Sequence, residues 1–269
     1  MTPATLMHMR SLAFARRAWR QQRSTAVWLA AVAGAALGVM VFAGTQNLAG
    51  ASWPGEIGQD AGAGIVTVHD AAGMFAPMTT YLMTMTPAIL GMLVALIATL
   101  TIPGVVADDV GGGAIEALLA SPIPRRRLFD AYLGAGLWMT AASWAVATVT
   151  FAGAAAFAAF AGGLDVRLTS AYTAALIVVP LSMGLWSSAA TLLGALLYPG
   201  SLESKAGMNG GPIRLLAVLP GLLIVPAILL QSSWIVPMLG ALLAATLTGS
   251  AILVRVTALG FRSSKVLGA

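Results

Sequence analysis

Asp108-Asp109-Val110-Gly111-Gly112-Gly113-Ala114-Ile115-Glu116-Ala117-Leu118-Leu119-Ala120-Ser121-Pro122-Ile123-Pro124-Arg125-Arg126-Arg127 is the one charge-dense stretch inside an otherwise almost continuously apolar chain. Its spacing predicts a short helix from about Gly113 to Ser121, with Ile115, Leu118 and Leu119 on one apolar face. Pro122 and Pro124 end that helix, because proline lacks an amide hydrogen and clashes with the preceding turn. Three glycines before it and two prolines after it set it apart as a discrete knob.

Around this island the composition is that of a membrane protein. Hydrophobic residues make up 59% of the 269 and charged residues 9%, and mean hydropathy is +0.90. A water-facing domain carries about 25% charged residues, so the chain cannot cover itself with an ordinary polar surface. The net charge of +5 is therefore read as topology, and no nucleic-acid partner is expected. The absence of cysteine excludes a disulfide framework and a thiolate metal site. Arg10, Arg16, Arg17, Arg20 and Arg23 stand where the apolar core of a cleavable leader would lie, so none is expected.

Residues 1–23 read as an amphipathic helix on the membrane surface. At helical spacing the five arginines fall within an arc of roughly 140°, opposite Met7, Leu12, Phe14, Ala15, Ala18 and Trp19. Arginine stems can snorkel while Trp19 sits at headgroup level. A plain basic flank with no helix is the alternative. Charge-free intervals at 24–55, 71–107, 131–164, 168–202 and 215–254 then count the spans. A spanning helix needs about 20 residues, so the first four intervals hold one each, near Ala26–Phe42, Thr80–Ile102, Ala131–Phe157 and Ala171–Leu197. The last interval holds two, broken by a turn at Gln231-Ser232-Ser233-Trp234.

Basic residues choose six spans over five. With the N-terminus inside, Arg10, Arg16, Arg17, Arg20, Arg23, Arg125, Arg126, Arg127, Lys205, Arg214, Arg255, Arg262 and Lys265 all lie inside, and Arg167 alone lies outside. Five spans would strand Arg255, Arg262 and Lys265 on the wrong face, against the positive-inside rule. The expected architecture is an all-α integral membrane protein. It comprises an interfacial helix over 1–23 and a single six-helix transmembrane domain over 24–269, with both termini cytoplasmic. A cytoplasmic loop over 104–130 and a long external loop over 45–77 complete it. Pro180, Gly184, Pro220, Gly221 and Pro226 fall inside spans and read as packing kinks.

The spans so placed contain no Asp, Glu, Lys, Arg or His. Ion- or proton-coupled carriers ordinarily place such groups in the membrane, and intramembrane hydrolases need a convergent catalytic set. His8 and His69 have no partner at metal-ligand spacing, and the Gly111-Gly112-Gly113 run is not followed by Lys-Ser/Thr as a phosphate loop requires. No catalytic, cofactor or metal site is expected on this chain, and any energy for work comes from another subunit. The knob then reads as a docking element, its apolar face filling a partner's groove and Glu116 supplying a charge contact. The alternative is an ordinary inner loop whose arginines hold topology.

The run Gly113-Ala114-Ile115-Glu116-Ala117-Leu118-Leu119-Ala120-Ser121-Pro122-Ile123, with Arg125 and Leu128 after it, resembles the inner-loop signature of type-2 ABC exporter permeases. That signature reads Gly-Thr-Leu-Glu, one residue, Leu-Leu, two residues, Pro, Ile or Val, then a basic residue. Gly113, Glu116, Leu118, Leu119, Pro122, Ile123 and Arg125 match it, while Ala114 and Ile115 are mild substitutions. The resemblance extends to the interfacial helix, six spans, inner termini and the signature's place between spans two and three.

The resemblance implies that Gly113, Ile115, Glu116, Leu118, Leu119, Pro122, Ile123 and Arg125 form a coupling helix docked on a cytosolic ABC ATPase. Two ATPase copies, carrying Mg-ATP, would serve two permeases, the second the same as or different from this chain. Arg16, Arg17 and Arg20 are secondary contacts to the ATPase or to anionic lipid headgroups. The implied activity is export of a hydrophobic or amphipathic substrate, such as a drug, a lipid or a lipid-linked glycan, across a prokaryotic plasma (inner) membrane. The chain itself is not an enzyme in this reading. The alternative is an ATPase-binding membrane scaffold or immunity-type subunit with no pathway of its own. The chain departs from the family where Val110 and Gly111 replace an Arg-Glu pair after an acid (here Asp109), and where Ala131-Tyr132 replaces a Gly-Lys pair. The turn at Gln231–Trp234 also leaves no room for the family's outer hairpin.

Overall fold

A computed structural model describes residues 20, 24–42, 64–111, 125–197, 215–221 and 235–260. They form a helical bundle of α1 (Ser24–Phe42), α2 (Pro77–Gly111), α3 (Arg125–Ala161), α4 (Ser170–Leu197), α5 (residues 215–221) and α6 (Ile235–Gly260). Two short strands, β1 (Val66–His69) and β2 (Asp165–Leu168), complete the described residues. Helix is what an apolar chain must form in hydrocarbon, where each backbone N–H and C=O needs a partner within its own segment. Five of these helices are long and apolar enough to cross a membrane: Ser24–Phe42, Pro77–Ile102, Asp130–Ala161, Ser170–Gly194 and Val236–Thr257. The chain is a multi-pass membrane protein.

The first four spans match their expected positions to within a few residues. In the last interval residues 215–221 and Ile235–Gly260 are helical, while the turn expected at Gln231–Trp234 lies outside the described residues. The expected loop over 104–130 is shorter than the sequence suggested. Helix α2 runs on through Asp108 and Asp109 to Gly111, and α3 starts at Arg125. Polar residues do not end a helix whose backbone bonds are already internal. The interfacial helix expected over 1–23 lies outside the described residues except for Arg20, which is helical and exposed.

The bundle is organised about α2 and α4, which pack along one another more extensively than any other pair. Within the apolar windows, 72% of α2 and 61% of α4 is buried, against 17% of α3 and 11% of α6. Glycine permits the close approaches. A Cβ on Gly184 of α4 would meet Thr140 Cγ2 at 2.6 Å and Val94 Cγ1 at 3.0 Å. On α1, Gly34 and Gly38 form a Gly-x-x-x-Gly pair pressed onto α3, where a side chain would strike the backbone at Ala147 and Phe151.

Buried hydroxyls join the same helices. Ser187 Oγ on α4 donates to the Ala95 carbonyl of α2 at 2.8 Å. Ser188 Oγ donates its single hydrogen to Gly184 O at 2.7 Å, so at the 2.6 Å Thr140–Ser188 contact Thr140 is the donor. Trp186 Nε1 donates to Leu216 O at 2.9 Å and ties α5 to α4.

The strands were not foreseen. β1 and β2 pair antiparallel, with Val66 opposite Leu168, Thr67 opposite Arg167, Val68 opposite Val166 and His69 opposite Asp165. They come from the two segments expected to be external, one before α2 and one between α3 and α4, so the structure gathers both at one end of the bundle. Val66 and Val68 are buried in a core cluster with Leu37, Val41, Phe42 and Tyr172, and Val166 packs against it. Thr67 and His69 are only partly covered, and Asp165 and Arg167 are exposed. The sheet therefore caps the helix ends with one apolar face.

Candidate functional site

The region singled out by the sequence falls between the end of α2 at Gly111 and the start of α3 at Arg125. Gly113, Ile115, Glu116, Leu118, Leu119, Pro122 and Ile123 lie outside the described residues, and Arg125 is the first residue of α3. Of the secondary group, Arg16 and Arg17 lie outside the described residues and Arg20 is exposed. The two flanking helices are what the structure supplies. α2 continues past Ile102 through Pro103-Gly104-Val105-Val106-Ala107 to Asp108, Asp109 and Gly111. α3 begins at Arg125, so Asp108 and Asp109 belong to α2 and Arg125–Arg127 to α3. Three arginines at a helix N-terminus oppose the helix dipole, so their placement answers to membrane topology rather than to helix stability.

The bundle interior offers hydroxyls. Thr84, Thr86 and Thr101 on α2 and Thr191 on α4 each donate to a carbonyl one turn back, at 2.7–3.0 Å. A hydroxyl nucleophile needs an adjacent base, and these hydroxyls are engaged with carbonyls or with each other. Asp130 is the sixth residue of α3 and Arg255 the sixth from the end of α6, away from the middle of either helix. Among the described residues no three of His, Asp and Glu come together as a metal site. Apolar grooves open between α1 and α2, along Ala33, Leu37, Met40 and Leu93, and between α4 and α6, along Ala171, Ala175, Val236 and Gly240.

At the strand end the polar groups build structure. Asp70 Oδ1 accepts from the Ala72 and Met74 amides at 3.0 and 2.8 Å and closes a turn in which Gly73 takes a φ of 76°. Thr80 Oγ1 accepts from Val68 N at 3.0 Å and seats β1 on the first turn of α2. Thr169 caps α4, accepting from Tyr172 N at 3.3 Å while its hydroxyl donates to Ile65 O at 3.0 Å. His69 lies edge-on to Phe75, and its Nδ1 is buried without a hydrogen-bond partner among the described residues.

The alternation Val66-Thr67-Val68-His69 and the spacing Gly34-x-x-x-Gly38 were the signals for the strand and for the α1–α3 contact, and span counting passed over both. Comparison with protein-family models, with curated proteins and with solved structures gives no match.

Proposed function

We propose that this chain is the membrane-spanning subunit of an ABC-type exporter, driven by ATP hydrolysis on a separate cytosolic ATPase. The observation that carries the reading is the signature Gly113, Glu116, Leu118, Leu119, Pro122, Ile123 and Arg125, which the sequence sets between the helices α2 and α3. An interior furnished with hydroxyls, without a titratable relay in the middle of the described spans, fits a permease whose energy is delivered from outside.

In this reading six spans place both termini in the cytoplasm of a prokaryotic cell, and the 112–124 segment faces the ATPase. Mg-ATP stays on the partner. Its closure pushes on the ends of α2 and α3. Because α2 is locked to α4 by close packing and by the Ser187–Ala95 bond, the push moves the central pair as one body against α3 and α6. The cargo is hydrophobic or amphipathic.

The test is reconstitution with a cytosolic ABC ATPase that co-purifies with this chain. Substrate-stimulated ATP hydrolysis is expected for the native chain, falling about tenfold or more for Glu116→Lys with insertion unchanged, the loss of a directed charge contact. Undiminished export by Glu116→Lys contradicts the docking role. Sidedness is checked with single cysteines, since none is native. Trp234→Cys is expected to react with an impermeant reagent from outside, and Ser264→Cys only after permeabilisation. Labelling of both from one side breaks the six-span scheme.

A further inference from the structure

We infer that the outer edge of β2 is a self-complementary surface that pairs with β2 of a second copy of this chain. The hydrogen-bonding phase of the sheet fixes which groups lie on that edge. Thr169 N donates to Ile65 O at 3.1 Å, so 65 and 169 form a hydrogen-bonded pair. Antiparallel alternation then directs the backbone of Thr67, His69, Asp165 and Arg167 into the shared ladder and turns that of Val68, Val166 and Leu168 outward. β1 bears this out on its own outer edge, where Val68 N is held by Thr80 Oγ1 and Val68 O by the Ala76 amide. Among the described residues β2 has no neighbour other than β1, so the outward N–H and C=O of Val166 and Leu168 have no strand opposite them. Such an edge is a template for another strand.

Charge selects the occupant and the register. A two-fold axis through Val166 makes the two Val166 residues a hydrogen-bonded pair and sets Asp165 opposite Arg167 of the second copy, twice over. Moving the axis one residue either way sets Asp165 against Asp165 or Arg167 against Arg167, and like charges directly opposite are destabilising. Asp165 and Arg167 now contact each other within one chain at 3.1 Å, with side chains 58% and 73% exposed, so they are accessible for exchange. The membrane adds a constraint that this geometry meets. Two copies inserted with the same orientation can be related only by an axis along the membrane normal. The two-fold of an antiparallel strand pair stands perpendicular to its sheet. β2 occupies four of the eight residues between the end of α3 and the start of α4, and the sheet's buried valine face rests on the helix ends, so its perpendicular runs along the bundle.

The inference rests on β1 and β2 and does not depend on the ATPase reading. If that reading holds, it also makes the second permease another copy of this chain. The test uses the cysteine-free background. Two differently tagged copies, Asp165→Cys and Arg167→Cys, are co-expressed and oxidised in native membranes. Facing residues at a non-hydrogen-bonded position sit about 4.5 Å apart at Cα, within disulfide range. The expected result is a cross-linked dimer carrying both tags, at about tenfold the yield of either variant alone, whose cysteines fall out of register. No dimer, or equal yields in all three samples, overturns the inference. Charge reversal gives an independent arm, read as dimer fraction by photobleaching steps in dilute liposomes. Asp165→Arg is expected to lower that fraction severalfold, and Asp165→Arg with Arg167→Asp to restore it. Failure of the double variant to restore pairing overturns the charge register. Neither arm moves the Glu116 contact, so failure here and failure of the docking reading are distinguishable.

Discussion

The pair α2–α4 and the helices α3 and α6 are built from nearly equally apolar sequence, yet the first two form the interior and the latter two the rim. In water the more apolar helix would win the centre. In lipid, hydrocarbon is as good a neighbour as leucine, and position is decided by close packing and interhelical hydrogen bonds. The buried hydroxyls follow that logic. α2 buries Thr79, Thr80, Thr84, Thr86, Thr99 and Thr101 and α4 buries Ser182, Ser187, Ser188 and Thr191, against Thr140 and Ser143 on α3 and Thr246 and Thr257 on α6. α3 and α6 turn Val149, Phe157, Phe160, Leu247 and Ile252 outward.

Substitutions at glycine break the comparison hardest. Gly184→Leu, where a Cβ already meets Thr140 and Val94, is expected to cost about 3 kcal/mol, the upper range for an overpacked core. Gly240→Leu on α6 enters open space and is expected to change stability by no more than about 0.5 kcal/mol. Reversible unfolding in mixed detergent micelles measures both, and equal losses would erase the distinction between centre and rim.

Smaller effects sharpen the distinction. Thr169→Ala removes the cap of α4 and the tie to Ile65, an expected loss of about 1 kcal/mol together with faster amide exchange in β1. Ser187→Ala deletes the α4-to-α2 bond. Its expected cost is about 0.6 kcal/mol, the usual scale of a bond between helices in a membrane. Val149→Ala, on a side chain 70% exposed, is expected to fall within about 0.5 kcal/mol of the native chain.

These contrasts also explain what the sequence could disclose. The limits of the first four spans followed from where charges fall, because one misplaced Arg in hydrocarbon outweighs many propensities. The all-α expectation missed β1 and β2 because a four-residue alternation inside a long Gly/Ala-rich segment is weak beside helices of 26 residues or more. Each strand also needs the other, about a hundred residues away, to make sense. Within the segment expected as a loop over 104–130, residues 104–111 and 125–130 are helical, since neither Pro103 nor the paired Asp108-Asp109 halts α2. The order of centre and rim was partly legible in the threonines of Thr79-Thr80-Tyr81-Leu82-Met83-Thr84-Met85-Thr86, a density that a span facing only lipid has no reason to carry. The docking signature was legible as a motif in residues 113–125. The docking role proposed for it concerns a second molecule, and residues 113–124 lie outside the described residues.

A photoactivatable cross-linker attached at Glu116→Cys and irradiated in intact cells tests that grip most directly. The account expects one dominant adduct, with a cytosolic ATP-hydrolysing subunit, that is lost when Leu118 and Leu119 are changed to Asp. Adducts to lipid and to this chain alone, or labelling of the cysteine by an impermeant reagent from outside the cell, would contradict it.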